Sequence, residues 1–271
     1  MKNYKNNLEL LSKNHVYSHE MEHDACGVGL IASTEGKKSR AVVEHGIEAL
    51  KAVWHRGAVD ADGKTGDGAG IHLEIPKDFF IEKIQVTGHH HDNSEICVGM
   101  IFLPKNDYSS QESSKTIVES ELTKNDFNIY GWRQVPVNPK VLGEKALQTM
   151  PEIIQVLFKS NNPNLLNKEL ERKIYETRKK IENKAFDASL NNFYICSISS
   201  KSIIYKGLYL AEALSDFYLD TIKGFKKECY IYIPYNSEIE KSALEKGFKI
   251  RYEAFGDRAY NDNLSLVSRN M

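Results

Sequence analysis

The chain is predicted to be an α+β protein, with antiparallel strands interleaved with helices and a short βαβ fragment at the end. Three observations point there. Apolar residues fall at every second position in segments such as Ile71, Leu73 and Ile75 before Pro76, the period of a half-buried strand. Other segments carry apolar stripes at helical spacing, with charge on the opposite face. Near Gly224 the pattern shifts. A strand at Tyr230 to Ile233, a capping box at Ser237-Glu238-Ile239-Glu240, a closing Gly247 and a strand at Phe248 to Phe255 read as a parallel βαβ unit.

The first element in order is the stretch His23-Asp24-Ala25-Cys26-Gly27-Val28-Gly29-Leu30-Ile31-Ala32. Val28, Leu30 and Ala32 share one strand face, and Gly27 and Gly29 leave the other bare for close approach by backbone or ligand. Cys26 would then stand at the head of a strand. From residue types alone it could be a nucleophile or inert packing, since free cysteines are among the most buried residues.

Glu44 to Trp54 has helix spacing at Ile47, Leu50 and Trp54, and ends at His55-Arg56-Gly57, where glycine can take the left-handed cap. The run Gly66-Asp67-Gly68-Ala69-Gly70 resembles a dinucleotide loop only superficially. Such a loop follows a strand and opens a helix, whereas here a strand follows, so the glycines are expected to form a tight turn with Asp67 as a turn residue. The triplet His89-His90-His91 lies in a polar stretch and reads as a solvated loop rather than a metal site.

Ile96 to Leu103, closed by Pro104, reads as a buried strand, and residues 107–126 as a surface helix with Ile117, Val118 and Leu122 inward. Strand character resumes at Trp132 to Val137 and again at Ile153 to Phe158. Leu166, Leu170, Ile174, Ile181 and Ala185 stripe a long helix whose other face carries Lys168, Lys173 and Lys180. Phe193 to Ile198 and Ile203 to Lys206 read as a hairpin joined through Ser199-Ser200-Lys201-Ser202, with a short helix after it at Leu210, Leu214 and Phe217.

Composition excludes several classes. Lys plus Arg number 36 against 37 Asp plus Glu, a balance that gives no pull toward nucleic acid or an anionic membrane. No apolar run approaches the roughly 20 residues of a membrane span. Cys26, Cys97, Cys196 and Cys229 are scattered, with no CxxC, which suits a reducing cytoplasm and offers no obvious iron–sulfur or zinc site.

Several motifs occur in a telling order. They are His23-Asp24-Ala25-Cys26-Gly27-Val28-Gly29, Trp54-His55-Arg56-Gly57-Ala58, Thr65-Gly66-Asp67-Gly68-Ala69-Gly70-Ile71, Gly131-Trp132-Arg133-Gln134-Val135-Pro136 and Phe193-Tyr194-Ile195-Cys196-Ser197. Over residues 16–222 the chain resembles the class II glutamine amidotransferase domain of the glutamate synthase large subunit. The resemblance implies an αββα sandwich of the N-terminal-nucleophile (Ntn) hydrolase type, here incomplete. It also implies that residues 1–25 are a propeptide whose removal frees the α-amino group of Cys26. An α-amine titrates near 7.7–8.0, so it is partly neutral at working pH and can serve as base for its own thiol. Arg56 would shape the site, as would Gly66, Gly68 and Gly70. Glutamine is the implied substrate, with synthase modules as possible partners. FMN and an iron–sulfur cluster would belong to those modules, and this chain would need no cofactor or metal of its own.

The sequence also departs from that family. Its Arg-bearing strand motif and its Asn-Gly oxyanion pair have no counterpart here, and Asn-Gly occurs nowhere in the chain. Losing one oxyanion donor typically costs about 10²- to 10³-fold in turnover. The expected organisation is therefore a leader at 1–25, a partial amidotransferase domain at 26–223 and a separate fragment at 224–271. Asn236 to Lys241, Gly247-Phe248-Lys249 and Glu253 to Tyr260 resemble part of the LamB/YcsF family of 5-oxoprolinase components. Two alternatives to glutamine hydrolysis follow. One is an inactive remnant that at most binds a partner through the edge and apolar face of its incomplete sandwich. The other is an accessory role in 5-oxoproline hydrolysis.

Overall fold

The computed structural model describes residues 27–221 apart from 35, 37, 38, 54–56 and 93, together with residues 10 and 13 and the backbone of 233–234, 248–254 and 263–269. Its helices and strands alternate along the chain, and its sheets are antiparallel. Fold class α+β is the outcome.

Four strands form the larger sheet in the order β3-β4-β2-β5: β2 (Cys97–Leu103), β3 (Phe127–Gln134), β4 (Glu152–Ser160) and β5 (Tyr194–Ser199). Side chains alternate across it. Cys97, Ile101 and Leu103 of β2 join Ile154, Val156 and Phe158 of β4 on one face. That face is covered by Val118 and Leu122 of one helix (Tyr108–Lys124) and by Leu170, Ile174 and Ile181 of the long helix (Asn167–Asp187). Val98 and Met100 join Ile153 and Leu157 on the other face, which meets the second sheet. A strand buried on both faces reads as a continuous apolar run, as Ile96 to Leu103 does.

The second sheet is the antiparallel pair β1 (Ala69–Glu74) and β6 (Ser202–Gly207), with Ile71 opposite Tyr205 and Leu73 opposite Ile203. These four residues are buried against the larger sheet. The first described helix, α1 (Arg40–Ala52), adds Val42, Val43 and Ile47 to this core and touches β1. The helix that follows β1, α2 (Lys77–Val86), starts directly after Pro76 and buries Phe79, Phe80 and Ile84. No sequence period pointed to this helix. Proline at an N-terminal helix boundary loses no bond the helix would have made.

Two expectations are corrected. Residues 27–33 carry no strand, and Val28 is exposed while Leu30 and Ile31 lean on the core. Two glycines within three residues weaken strand pairing enough to explain it. The expected hairpin of β5 and β6 is instead a crossover between layers, since β5 pairs with β2 and β6 with β1. The turn is held by the long helix: Glu171 accepts from Ser199 Oγ at 2.9 Å, from Ser200 N–H at 2.7 Å and from Ser200 Oγ at 2.6 Å. Ser199 Oγ in turn accepts from Lys201 N–H and Ser202 N–H. Local serine bonds of this kind replace the ladder contacts a hairpin would have made.

Toward the end of the chain, β7 (Ile233–Pro234) and β8 (Phe248–Ala254) each pair antiparallel with β9 (Asn263–Arg269). The two expected strands therefore run in the same direction, with a third strand between them that the pattern did not reveal. The helix expected between them lies outside the described residues.

Candidate functional site

The glycine run organises what the structure describes of the site. Val59 and Gly66 form a bridge that makes residues 58–67 a small hairpin, with Asp60 N–H donating to Thr65 O at 2.8 Å and Asp67 N–H to Ala58 O at 3.3 Å. Inside it, Asp62 accepts from the N–H groups of Lys64 and Thr65 and from Thr65 Oγ1 at 2.9, 2.7 and 2.6 Å. These donors favour the ionised carboxylate and hold Asp62 well below the usual carboxylate range. Asp67 takes part through its backbone, as expected of a turn residue.

The hairpin leads into β1 and packs backbone against backbone on Lys206 to Leu210. A Cβ at Gly66 would stand 2.6 Å from Tyr209 O and 3.0 Å from Leu210 N. At Gly70 it would stand 2.8 Å from Lys206 Cβ and 2.9 Å from Tyr205 O. Gly68 adopts φ +130°, a conformation closed to most side chains. The three glycines singled out in the sequence thus sit together and let two backbones approach closely. Cys26 and Arg56 lie outside the described residues.

Behind Lys206 to Leu210 stands a cluster of buried rings, Tyr205, Tyr209, Phe217 and Tyr218, in tilted and edge-to-face pairs with centroids 4.8 to 6.4 Å apart. Burial pushes the three phenols well above their ordinary range, so they are neutral donors rather than bases. Tyr218 Oη donates to Lys206 O at 2.8 Å. Tyr209 Oη is buried, with no hydrogen-bond partner among the described residues. His72 on β1 is half-buried, and desolvation lowers its pKa to about 4, so it stays neutral.

On the far side of the same segment is an open cavity of about 720 Å³, bounded by Leu103, Leu142, Met150, Tyr194, Lys206 and Tyr209 among others. Lys206 Nζ donates to Tyr194 Oη at 2.6 Å at its rim. The cavity lies within the size range of small-molecule sites.

The described cysteines are poor nucleophiles. Cys97 and Cys196 are buried free thiols, and desolvation raises both, Cys196 to about 11. A thiol that cannot ionise does not attack. The histidine triplet lies outside the regular elements, with His91 Nε2 bonded to Ser94 O at 2.9 Å and His89 Nδ1 to Thr87 Oγ1 at 3.1 Å. Among the described residues no cluster of His, Cys, Asp and Glu suits a metal ion, and no helix is long and apolar enough to cross a membrane. Sequence reasoning did not name Gly207 as a site residue; a Cβ there would stand 2.5 Å from Tyr209 Cε1. It also missed Asp220, which no motif marked.

A two-stranded and a four-stranded antiparallel sheet packed face to face, with helices against the outer face of the larger, define an α+β sandwich of the Ntn-hydrolase kind. Residues 26–232 match the family described as glutamine amidotransferases class-II, and the chain belongs to that family. Among curated proteins it is similar to the glutamate synthase [NADPH] large chain of Azospirillum brasilense, 49% identical over 230 residues, covering 84% of this chain and 15% of that protein. It is similar also to ferredoxin-dependent glutamate synthase 1, chloroplastic/mitochondrial, of Arabidopsis thaliana, 40% identical over 201 residues, covering 73% of this chain and 12% of the relative. Ferredoxin-dependent glutamate synthase 2 of Synechocystis shares 37% over 200 residues, covering 73% of this chain and 12% of that protein. The chain thus spans only a small part of the length of the relatives it matches.

Proposed function

We propose that this chain is the glutamine-hydrolysing part of a glutamate synthase. Glutamine is converted to glutamate and ammonia by attack of the Cys26 thiolate on the side-chain amide carbonyl. Its own α-amine, freed by removal of residues 1–25, takes the thiol proton and returns it to the departing ammonia. Water then cleaves the thioester to release glutamate. The observation that carries this reading is the family match, which begins at Cys26 itself. The buried state of Cys97 and Cys196 supports the same choice of nucleophile. Arg56, with Gly66, Gly68 and Gly70, shapes the pocket in which the thiol works.

The ammonia passes to a synthase module, and flavin and iron–sulfur chemistry falls to that module rather than to residues 26–223. The setting is cytoplasmic. Residues 224–271 form a segment of separate origin, joined near Gly224 and related to the LamB/YcsF family of 5-oxoprolinase components. Its support is the set of short motifs from Asn236 to Tyr260.

The test is intact mass of the purified protein before and after a glutamine-mimicking diazo-ketone. Loss of residues 1–25 with one adduct that vanishes in Cys26→Ala is the expected result. A full-length mass that takes no label, or glutamate release that persists in Cys26→Ala, would overturn the reading.

A further inference from the structure

Arg133 occupies the penultimate position of β3, an edge strand, and its guanidinium turns inward. Nη1 donates to Gln155 Oε1 of β4 at 2.7 Å and to Asp220 Oδ2 at 2.8 Å, while Nη2 donates to Asp220 Oδ1 at 2.7 Å. This is a bidentate fork on a carboxylate, and it is shielded: the two side chains are 13% and 4% exposed. Tyr205 Oη, bonded to Gln155 Nε2 at 3.3 Å, stands 3.4 Å from Asp220 Oδ2.

The pair fastens more than itself. Asp220 follows Tyr218, which is strapped by backbone to the segment after β3. Val137 bridges Tyr218, Asn138 N–H donates to Phe217 O at 2.9 Å, and Leu219 N–H to Pro136 O at 3.2 Å. Tyr218 Oη holds Lys206 O, and Lys206 pairs with Gly70. Tyr205 pairs with Ile71, and Tyr209 O lies against Gly66. These contacts form a chain from the glycine segment through Lys206, Tyr205 and Tyr209 to Tyr218 and, two residues on, Asp220. Apolar residues of similar volume would hold two sheets together at least as firmly as a buried ion pair. The bidentate fork adds fixed direction, which a glycine turn packed backbone to backbone requires.

We propose that Arg133 and Asp220 are a positioning pair for the glutamine site: they fix Lys206 to Leu210, and through it the Gly66–Gly70 segment, in the geometry used by the nucleophile. The proposal rests on the glutaminase reading for its chemistry but not for its geometry. Asp220→Asn removes the charge from the fork, and Arg133→Lys keeps the charge but loses the fork. Amide hydrogen exchange read by mass spectrometry on the full chain is expected to speed by about ten-fold or more at residues 66–70 and 206–209 in both variants, with β2 and β4 unchanged. Glutamate release is expected to fall about ten-fold or more in kcat with KM held, since small displacements of site groups cost rate rather than binding. Asp220→Glu should recover most of it.

Exchange at 66–70 and 206–209 equal to wild type would overturn the proposal. So would equal acceleration in β2 and β4, which marks a merely structural tie, and so would failure of both variants to fold. Should the wild-type chain release no glutamate and take no diazo-ketone label, the glutaminase reading falls, while the exchange pattern still decides the positioning claim.

Discussion

Gly66→Ala puts a single methyl group where the structure leaves no room. The added carbon would stand 2.6 Å from Tyr209 O, 2.7 Å from Tyr209 C and 3.0 Å from Leu210 N, all backbone atoms. A side chain in that place could rotate away. Backbone cannot, and this backbone is pinned on its other side by Tyr218 Oη on Lys206 O and by the β1–β6 ladder. Overpacking of this kind costs about 1–3 kcal/mol. For a chain of this size that lowers the melting midpoint by about 2–12 °C, taking about 2–4 °C per kcal/mol. The matched control is Gly63→Ala in the same hairpin. Gly63 has φ +69° and open space around its Cβ position, so its cost is conformational alone, about 1–2 kcal/mol. Stability would be followed by near-ultraviolet circular dichroism and the site by glutamate release. Gly66→Ala should lose activity beyond what its stability explains if, as proposed, the displaced segment lines the glutamine site, while Gly63→Ala should lose stability without that excess. A Gly66→Ala protein that melts with wild type and turns over normally would refute the reasoning.

Three further outcomes are expected. Burial raises Glu171 above the ordinary glutamate range of about 4.3 despite its three hydrogen bonds, so the folded state holds that proton more tightly than the unfolded chain. Its contribution is fully present below the unfolded pKa and is lost as pH rises through the folded one; Glu171→Gln should flatten that fall in a series of urea melts from pH 4 upward, and an unchanged slope would count against it. Cys97 and Cys196 should resist a thiol reagent at pH 8 until the protein is unfolded, whereas rapid labelling of either in the folded state would contradict their burial. Leu157→Ala empties a fully buried position between the two sheets and should cost about 2–5 kcal/mol by chemical denaturation; a loss under about 1 kcal/mol would mean the sheets do not pack there.

The strands and helices that the sequence revealed are those buried on one face, which show a period, or on both, which read as an apolar run. Ile71, Leu73 and Ile75 alternate because one face of β1 meets the larger sheet, and Leu170, Ile174 and Ile181 recur at helical spacing because one side of the long helix does the same. The crossover at Ser199 to Ser202 escaped because a hairpin and an arch between sheets need the same two strands and the same polar turn. What separates them is Glu171, 28 residues upstream of Ser199. The helix after Pro76 escaped because its two adjacent phenylalanines obscure any period. In the candidate site, glycines announced themselves by composition, and the structure sets Gly66 and Gly70 against the backbone of Tyr205 to Leu210. Their partners did not, since a backbone carbonyl such as Tyr209 O has no residue signature.

That asymmetry bears on how the site is built. A glycine-rich segment after Cys26 and a second glycine run at 66–70 both give up side-chain packing, and neither can hold itself in place. The holding must come from elements that do pack, and here it comes from the ring cluster of Tyr205, Tyr209, Phe217 and Tyr218, braced by the Arg133–Asp220 fork. Tyr209 Oη shows the cost of this arrangement. Among the described residues it is buried without a partner, which is worth about 1–3 kcal/mol of lost stability, and Tyr209→Phe should restore part of that if the ring alone does the positioning. A Tyr209→Phe protein that is more stable and equally active would place the function of this residue in its ring and its backbone carbonyl. One that loses activity while gaining stability would instead give the hydroxyl a part in the reaction, and would move the site's inner boundary from the glycine turn to the phenol behind it.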